Sequence, residues 1–183
     1  WTSSKTSRLN TPDMEITLEQ LLVSREERWQ LQQQLLQQND GCTLVCLTVI
    51  MPGNVKRNRQ SLVVAKAAKE EMLAHFAPFH IDLMTERDLV TGFEAYALVR
   101  TSTTVAKRMA CAIEDNHPLG RLFDMDVIDS EGRPVGRQQV GMPPRRCLLC
   151  DNEARFCMRN HSHTQQELLQ RINEMIEGYV RQS

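Results

Sequence analysis

The sequence predicts an α+β fold, a split βαβ-type mixed sheet with helices packed on it, followed by a Cys-rich C-terminal helical tail. Three observations predict it. Between residues 42 and 128, segments of strand and helix character follow one another as strand–helix–strand–strand–helix–strand. An amphipathic helix precedes that core, and a stretch dense in arginine and cysteine follows it. With 183 residues, 41% of them hydrophobic, the chain is long and apolar enough for one domain with a sizeable core.

Taken in order, residues 1–14 read as a flexible leader without an apolar signal core, and 15–183 as one domain. Thr17-Leu-Glu-Gln20 is a capping box with Ile16 and Leu21 as a hydrophobic staple. Leu21, Leu22, Val23, Trp29, Leu31, Leu35 and Leu36 then form the apolar face of a helix that Asn39-Asp-Gly41 ends. Cys42 to Met51 is apolar on both faces, as a central strand is, with Cys42 and Cys46 as small buried hydrophobes. Pro52-Gly-Asn-Val-Lys56 breaks that strand, and Asn58 caps a helix over 59–76 that turns Leu62, Ala65, Met72, Leu73 and Phe76 inward before Pro78. Strands follow at Phe79–Glu86 and Phe93–Arg100, joined by 87–92. Thr103 caps a helix from Val105 to about Asp115 with Met109, Ala110 and Ile113 inward. His117-Pro118 stops it, because proline lacks an N–H and disfavours helical geometry in the residue before it. The strand through Ile128 comes next, then a turn at Ser130-Glu-Gly132 and a return of Pro134–Val140 as an edge strand.

The candidate chemistry sits on that last core strand. Asp124 and Asp126 lie two apart, so in a strand both carboxylates project from one face and repel each other. A hard cation such as Mg²⁺ relieves that repulsion and leaves room for substrate phosphates. The competing reading is a solvated acidic edge strand. Arg121 precedes the pair, and Arg133, Arg137, Arg145, Arg146, Arg155 and Arg159 follow it against only Asp151 and Glu153. Guanidinium forks suit phosphate oxygens, though such a run also serves as a plain basic surface. Upstream, the glycine turn, Lys56 and a helix N-terminus can together hold a phosphate, or form an ordinary strand-to-helix turn. Nucleotidyltransferase cores also carry Asp-x-Asp on a sheet, an analogy of fold.

The tail, within a Cys/Arg-rich segment 141–163, spaces Cys147, Cys150, Cys157 and His161 as Cys-x₂-Cys-x₆-Cys-x₃-His. Four such soft ligands can take one structural Zn²⁺. A redox Cys-x-x-Cys and a reduced, partly buried cluster compete with it. A closing helix over 164–181 presents Leu168, Leu169, Ile172, Met175, Ile176 and Val180 to the core. A formal net charge of −1 argues against bulk nucleic-acid binding. No apolar run reaches the roughly 20 residues that span a bilayer, and six cysteines point to a reducing, cytoplasmic setting.

Taken together, Leu21-Leu-Val-Ser-Arg-Glu-Glu-Arg28, Pro52-Gly-x-x-Lys56, His117-Pro-Leu-Gly-Arg-Leu-Phe-Asp-x-Asp-Val127 and Pro143-Pro-Arg-Arg-Cys-Leu-Leu-Cys150, with Cys157 and His161, form a long joint pattern. It resembles the apo-citrate lyase phosphoribosyl-dephospho-CoA transferase (holo-citrate lyase acyl carrier protein synthase) family over nearly the whole chain after residue 15. The resemblance implies an enzyme that takes triphosphoribosyl-dephospho-CoA, attaches its phosphoribosyl-dephospho-CoA group to a serine of the acyl carrier subunit of citrate lyase, and releases pyrophosphate. The motif positions here are His117, Gly120, Arg121, Asp124, Asp126, Arg145, Arg146, Cys147 and Cys150. Within that chemistry we expect His117, Arg121, Asp124 and Asp126 at the reaction, the two aspartates through Mg²⁺. Lys56, Gly120, Arg137, Arg145 and Arg146 are expected at the substrate. Gly136-Arg137 departs from a Ser-Arg pair common in the family. The alternative, from another class, is a zinc-stabilised non-catalytic module that docks an acidic protein partner through the arginines.

Overall fold

A computed structural model describes residues 13–183, so all but the last two residues of the expected leader lie outside the described residues. The elements are α1 (Leu18–Gln38), β1 (Thr43–Val49), α2 (Arg59–Phe76), β2 (Ile81–Leu89), β3 (Gly92–Val99), α3 (Thr103–Asn116), β4 (Phe123–Ile128), α4 (Ala154–Arg159) and α5 (Gln165–Gln182). Among the described residues, no helix is long and apolar enough to cross a membrane.

The four strands lie in the order β2-β3-β1-β4 and every neighbouring pair is antiparallel. The α+β class and the split βαβ pattern hold, but the sheet is not mixed. The reason is topological. Each crossover, β1-α2-β2 and β3-α3-β4, joins strands that run the same way and places another strand between them. No two parallel strands end up adjacent.

One face of the sheet, through Val45, Leu47, Ala95, Ala97, Phe123 and Met125, packs against α2, α3 and α5 and makes the main core. The helices that cover it are started by side-chain caps on Asn58, Ser102 and Thr164, each accepting from a backbone N–H three residues on. The opposite face is divided. Its apolar half, Leu44, Leu98 and Ile128, lies under Leu35 and Leu36 of α1. Its other half carries Glu94, Thr48 and Asp124 in one cross-strand row and Tyr96, Cys46 and Asp126 in the next. That division explains why α1, whose capping box forms as expected, buries so little of its apolar stripe. Leu22, Val23 and Trp29 are each more than half exposed, because the N-terminal part of α1 runs over the charged half and meets it with polar side chains.

Other expectations shift for equally local reasons. Arg87, Asp88 and Leu89 extend β2 instead of looping, and only Val90 and Thr91 turn the hairpin, with Gly92 at φ +124°. Pro134–Val140 does not become a strand. Val135 N donates to Val127 O at 2.8 Å, and the chain then coils into a short 3-10 turn over Gln138–Val140. On α5, Val180 stays exposed while Ile172 and Ile176 are buried.

Glu94, 2% exposed, ties the charged half together. It accepts from Arg28 Nε at 2.9 Å, from Arg87 Nη2 at 2.6 Å and from the Tyr96 hydroxyl. Burial alone would raise its carboxyl, but those donors outweigh it and hold the group below the usual glutamate range. A depressed folded-state value means stability that is present above the ordinary value of about 4.5 and is lost as pH falls through the lower folded one. Glu94→Ala should therefore cost about 3–5 kcal/mol at pH 7, because it strands two guanidinium groups. In chemical denaturation the difference from the parent should shrink steadily as the pH is lowered below 4.5.

Candidate functional site

The site is assembled at the free edge of β4. An edge strand leaves backbone groups unpaired on one side. Here Met125 N donates to Glu114 Oε1 at 2.8 Å, and Met125 O accepts from Lys107 Nζ at 3.2 Å. Both side chains come from α3 and are buried, at 3% and 6% exposure. With β4 so braced, Asp124 and Asp126 project together from its opposite face. Each is directly across from β1, Asp124 from Thr48 and Asp126 from Cys46. The surrounding chain strips part of the hydration of Asp126, although the residue still opens to solvent. That loss and the adjacent charge of Asp124 push its carboxyl up to about 6. A cation between the two carboxylates would remove the second cause.

Beside the carboxylates opens a cavity of about 1190 Å³. Its polar wall includes Lys107, Glu114, Arg121, Asp124, Asp126, Arg145 and Arg146, and its apolar wall includes Met51, Pro52, Leu148 and Leu168. The arginines in and around it are not equivalent. Arg137 is spent on structure: it bonds Glu114 Oε2 at 2.5 Å, both oxygens of Asp115 at 3.0 and 3.1 Å, and Pro143 O. Those partners overcome the burial penalty and raise its already high value further. Arg145 donates through Nη2 to the carbonyls of Gly120 and Arg121, at 3.3 and 3.1 Å, while its Nη1 lies 3.6 Å from both Glu114 and Asp124. Arg146 lines the cavity and makes only a long contact to Asp151 O at 3.4 Å.

Arg121 is the informative one. Among the described residues only two buried side-chain nitrogens lack a hydrogen-bond partner, and its Nε is the first. Burial and the nearby Arg145 guanidinium lower its value below that of an ordinary arginine. A half-buried guanidinium with a buried, unused donor and a like-charged neighbour suits an anion.

The second orphan nitrogen is His163 Nε2. The ligand atoms of Cys147, Cys150, Cys157 and His163 all lie within 4.8 Å of one another, so the four can hold a metal ion. His163, not the expected His161, completes the set. His161 adopts a left-handed backbone with φ 47° at the exposed turn after α4; it borders the cavity outside the cysteine cluster, and the residue two further on comes back to the sulfurs. N–H groups of Leu149 and Cys150 favour a thiolate at Cys147 and, against the effect of burial, bring it down to about 7. Burial and the adjacent sulfurs push Cys157 up to about 11.

Three sequence-singled residues serve differently. Lys56 Nζ donates to Met51 O at 2.6 Å and does not line the cavity. His117 caps the C-terminal end of α3, accepts from Leu119 N at 3.0 Å and packs its ring on Phe123 and Tyr179, the core side of β4. Gly120 is needed for space: a Cβ there would fall 2.2 Å from Glu114 O. It shapes the turn that presents Arg121. Sequence reasoning passed over Glu114, Lys107 and Glu94, and held Arg28 only as part of a motif without a role. A charged residue on an otherwise apolar face was the available signal, at Lys107 and Glu114 in the α3 stripe and at Glu94 within an apolar strand.

A family model described as apo-citrate lyase phosphoribosyl-dephospho-CoA transferase matches residues 16–179. The chain is 38% identical over 174 residues to a probable apo-citrate lyase phosphoribosyl-dephospho-CoA transferase of Vibrio cholerae serotype O1, covering 92% of this chain and 96% of that protein. It is 32% identical over 163 residues to the apo-citrate lyase phosphoribosyl-dephospho-CoA transferase of Escherichia coli O7:K1, covering 88% of each. It is also 36% identical over 172 residues to Protein CitXG of Haemophilus influenzae, covering 93% of this chain but only 37% of that longer protein.

The two neighbouring arginines should part company on substitution. Arg137→Ala should destabilise the free protein by about 3–5 kcal/mol, since it removes the closest cation from the buried Glu114 and leaves only Arg145 at 3.6 Å. Arg121→Met should leave thermal stability unchanged or slightly raised, because it removes an unpartnered cation. Added pyrophosphate should stabilise the parent, and this variant should lose that gain. Thermal melts with and without pyrophosphate read both; equal destabilisation by the two variants would show that Arg121 is a structural arginine like its neighbour.

Proposed function

We propose that this chain, which belongs to the apo-citrate lyase phosphoribosyl-dephospho-CoA transferase family, takes triphosphoribosyl-dephospho-CoA and links its phosphoribosyl-dephospho-CoA group to a serine of the acyl carrier subunit of citrate lyase. One observation carries the reading. A pair of carboxylates meets two arginines, Arg121 with an unused buried donor and Arg145 beside it, in one cavity large enough for a nucleotide-sized substrate. The transferases named among the relatives weigh against the non-catalytic docking module.

The reaction joins the serine oxygen to the phosphorus nearest the ribose and breaks the anhydride to the next phosphate. Pyrophosphate departs and the hydroxyl proton passes to solvent. Such an in-line displacement needs position and charge neutralisation more than covalent help. Arg121 and Arg145 bind the polyphosphate and stay on the leaving pyrophosphate as its charge grows. Arg146, at the mouth, adds a third guanidinium. Asp124 and Asp126 have the hard oxygen donors that fit Mg²⁺, which when bound would neutralise phosphate oxygens at the transferring centre. Glu114 and Lys107 touch no substrate in this scheme; they hold β4 where its carboxylates face the arginines. The apolar wall, Met51, Pro52, Leu148 and Leu168, suits the less polar parts of the dephospho-CoA arm. Three thiols and an imidazole suit Zn²⁺ rather than Mg²⁺ at the cysteine cluster, whose Cys147, Cys157 and His163 border the same cavity as the carboxylates and arginines. The reading places the reaction in the cytoplasm, supported by six cysteines without a disulfide.

Asp124→Asn and Asp126→Asn should each cut turnover by about 10²-fold or more with the fold retained, as loss of charge stabilisation at the transition state does. Near-normal turnover in both would overturn the carboxylate assignment. A second readout needs no substrate. Asp126 is raised in the folded state, so its favourable contribution is full below about 4 and gone once pH passes about 6. Asp126→Asn should therefore gain in melting temperature on the metal-free parent as pH rises from 4 to 7. Millimolar Mg²⁺ should give the parent that gain and leave the variant unchanged.

A further inference from the structure

Between Val140 and Ile172 the only buried residue is Cys157. A segment of that length with one buried side chain has no apolar core of its own, and α4, with 6 residues, is too short to persist alone. Phe156 and Met158 of α4 point outward, at 54% and 73% exposure. Yet the segment is folded in detail. Cys147 N donates to Asn152 O at 2.7 Å, Ala154 N to Arg145 O at 2.8 Å, and Ser162 N to Cys157 O at 3.0 Å. Arg146 and Glu153 pair as an antiparallel bridge. The result is a tight turn whose inside is occupied by sulfur.

The geometry of that interior is that of a coordination shell. A tetrahedral ion with Zn–S bonds of about 2.3 Å spaces its ligand atoms roughly 3.8 Å apart. Here Cys150 Sγ and Cys157 Sγ are 3.4 Å apart, and all four donor atoms lie within 4.8 Å of one another. Leu149 N points at Cys147 Sγ at 3.5 Å, as backbone N–H groups do toward a thiolate held in a turn. The buried His163 Nε2 has no partner among the protein groups. A ring nitrogen of His163 within 4.8 Å of three sulfurs, on an imidazole with an unpartnered buried Nε2, calls for a metal.

Two residues before the first of these cysteines stands Arg145. Its main chain belongs to the turn, through the bond from Ala154 N, and its side chain reaches the carbonyls of Gly120 and Arg121. Arg145 is therefore the strut between the cysteine turn and the cavity, and it lies beside another cation that repels it. Two side-chain hydrogen bonds and two ion pairs at 3.6 Å would not hold such a strut on a segment free to unravel.

We infer that a zinc ion bound by Cys147, Cys150, Cys157 and His163 holds Arg145 beside Arg121, so that metal loading sets the affinity of the cavity for polyphosphate. Binding releases the thiol protons to solvent. This rests on the reading of Arg121 and Arg145 as the polyphosphate cradle, and it assigns the ion no part in the transfer step. β4 and its carboxylates belong to the sheet and keep their place without zinc.

The test is made on the whole chain, purified without chelator, in excess Mg²⁺ so that the carboxylate pair stays supplied. Elemental analysis should give about one zinc per chain. Removal with 1,10-phenanthroline should weaken the binding of inorganic pyrophosphate, read by calorimetry, by about tenfold or more, a loss of the size expected for one charged contact. The KM for the triphosphate substrate should rise in parallel with little change in kcat. Added Zn²⁺ should restore both. His163→Ala should behave as the stripped protein does, His163→Cys should retain metal and affinity, and His161→Ala should do neither harm nor good. Circular dichroism guards against a global loss of fold. A folded protein without metal that binds pyrophosphate tightly would overturn the inference, as would stripped protein with undiminished affinity. Zinc-dependent pyrophosphate binding in a chain that transfers nothing would uphold it and overturn the transferase reading instead.

Discussion

The arrangement hangs on the Glu114 carboxylate. It is almost wholly buried, which for an ionised group is tolerable only with full compensation. Compensation comes from three directions: the Met125 N–H of β4, the Arg137 guanidinium, and Arg145 at 3.6 Å. These partners lie on β4, on the loop after it and on the turn that leads into the cysteines. The strand that carries the carboxylate pair, the loop after it and the arginine strut thus all meet one side chain of α3. Lys107 completes the brace on Met125 O. Pairing backbone groups of an edge strand with buried side chains also closes an edge that would otherwise invite another strand.

The opposite face repeats that logic with Glu94. It gathers Arg28 from α1, Arg87 from β2 and Tyr96 from its own strand, and so fixes the angle at which α1 crosses the sheet. The divided face follows. Where Leu35 and Leu36 meet Leu44 and Leu98, α1 packs by apolar contact. Where it meets Glu94 it packs by charge, and its remaining apolar side chains stay in solvent. The carboxylates of β4 lie at the far end of the same two rows, so the polar half of the sheet leads from a structural ion cluster to the reactive one.

Much of this was legible in the sequence, and the failures share a cause. Caps at Thr17 and Asn58 and the element order through β4 could be read because each depends on a few neighbouring residues. The Asp124–Asp126 pair was legible because strand geometry alone places both on one face. What could not be read depends on distant chain. Arg137 and Arg145 are alike in a basic run and both border the cavity, yet one is locked to Glu114 and Asp115 while the other reaches to the carbonyls of Gly120 and Arg121 and toward Asp124. His161 fits a ligand spacing, but a left-handed residue there hands the position to His163. His117 and Gly120 stand in a motif with Asp124, yet they shape the turn and pack the core instead of lining the cavity. A motif marks residues needed together; it does not sort those that react from those that hold the others in place.

That sorting is visible in the charges left unbalanced. Structural ions in this protein are matched: Glu94 has three donors, and Arg137 has two carboxylates and a carbonyl. At the cavity the matching stops. Asp126 is pushed up by Asp124, and Arg121 is pushed down by burial and Arg145. Arg145 stands 3.6 Å from both Glu114 and Asp124, a looser pairing than the 2.5–3.1 Å bonds of Arg137 to its carboxylates, and the Asp124–Asp126 and Arg121–Arg145 repulsions persist beside it. On the proposed reading, a polyphosphate brought in with Mg²⁺ relieves both repulsions at once, its oxygens meeting the arginines and its cation the aspartates. The folding energy of the matched clusters holds the unmatched groups apart, so the site is already organised when the anion arrives, and binding need not pay for that order again.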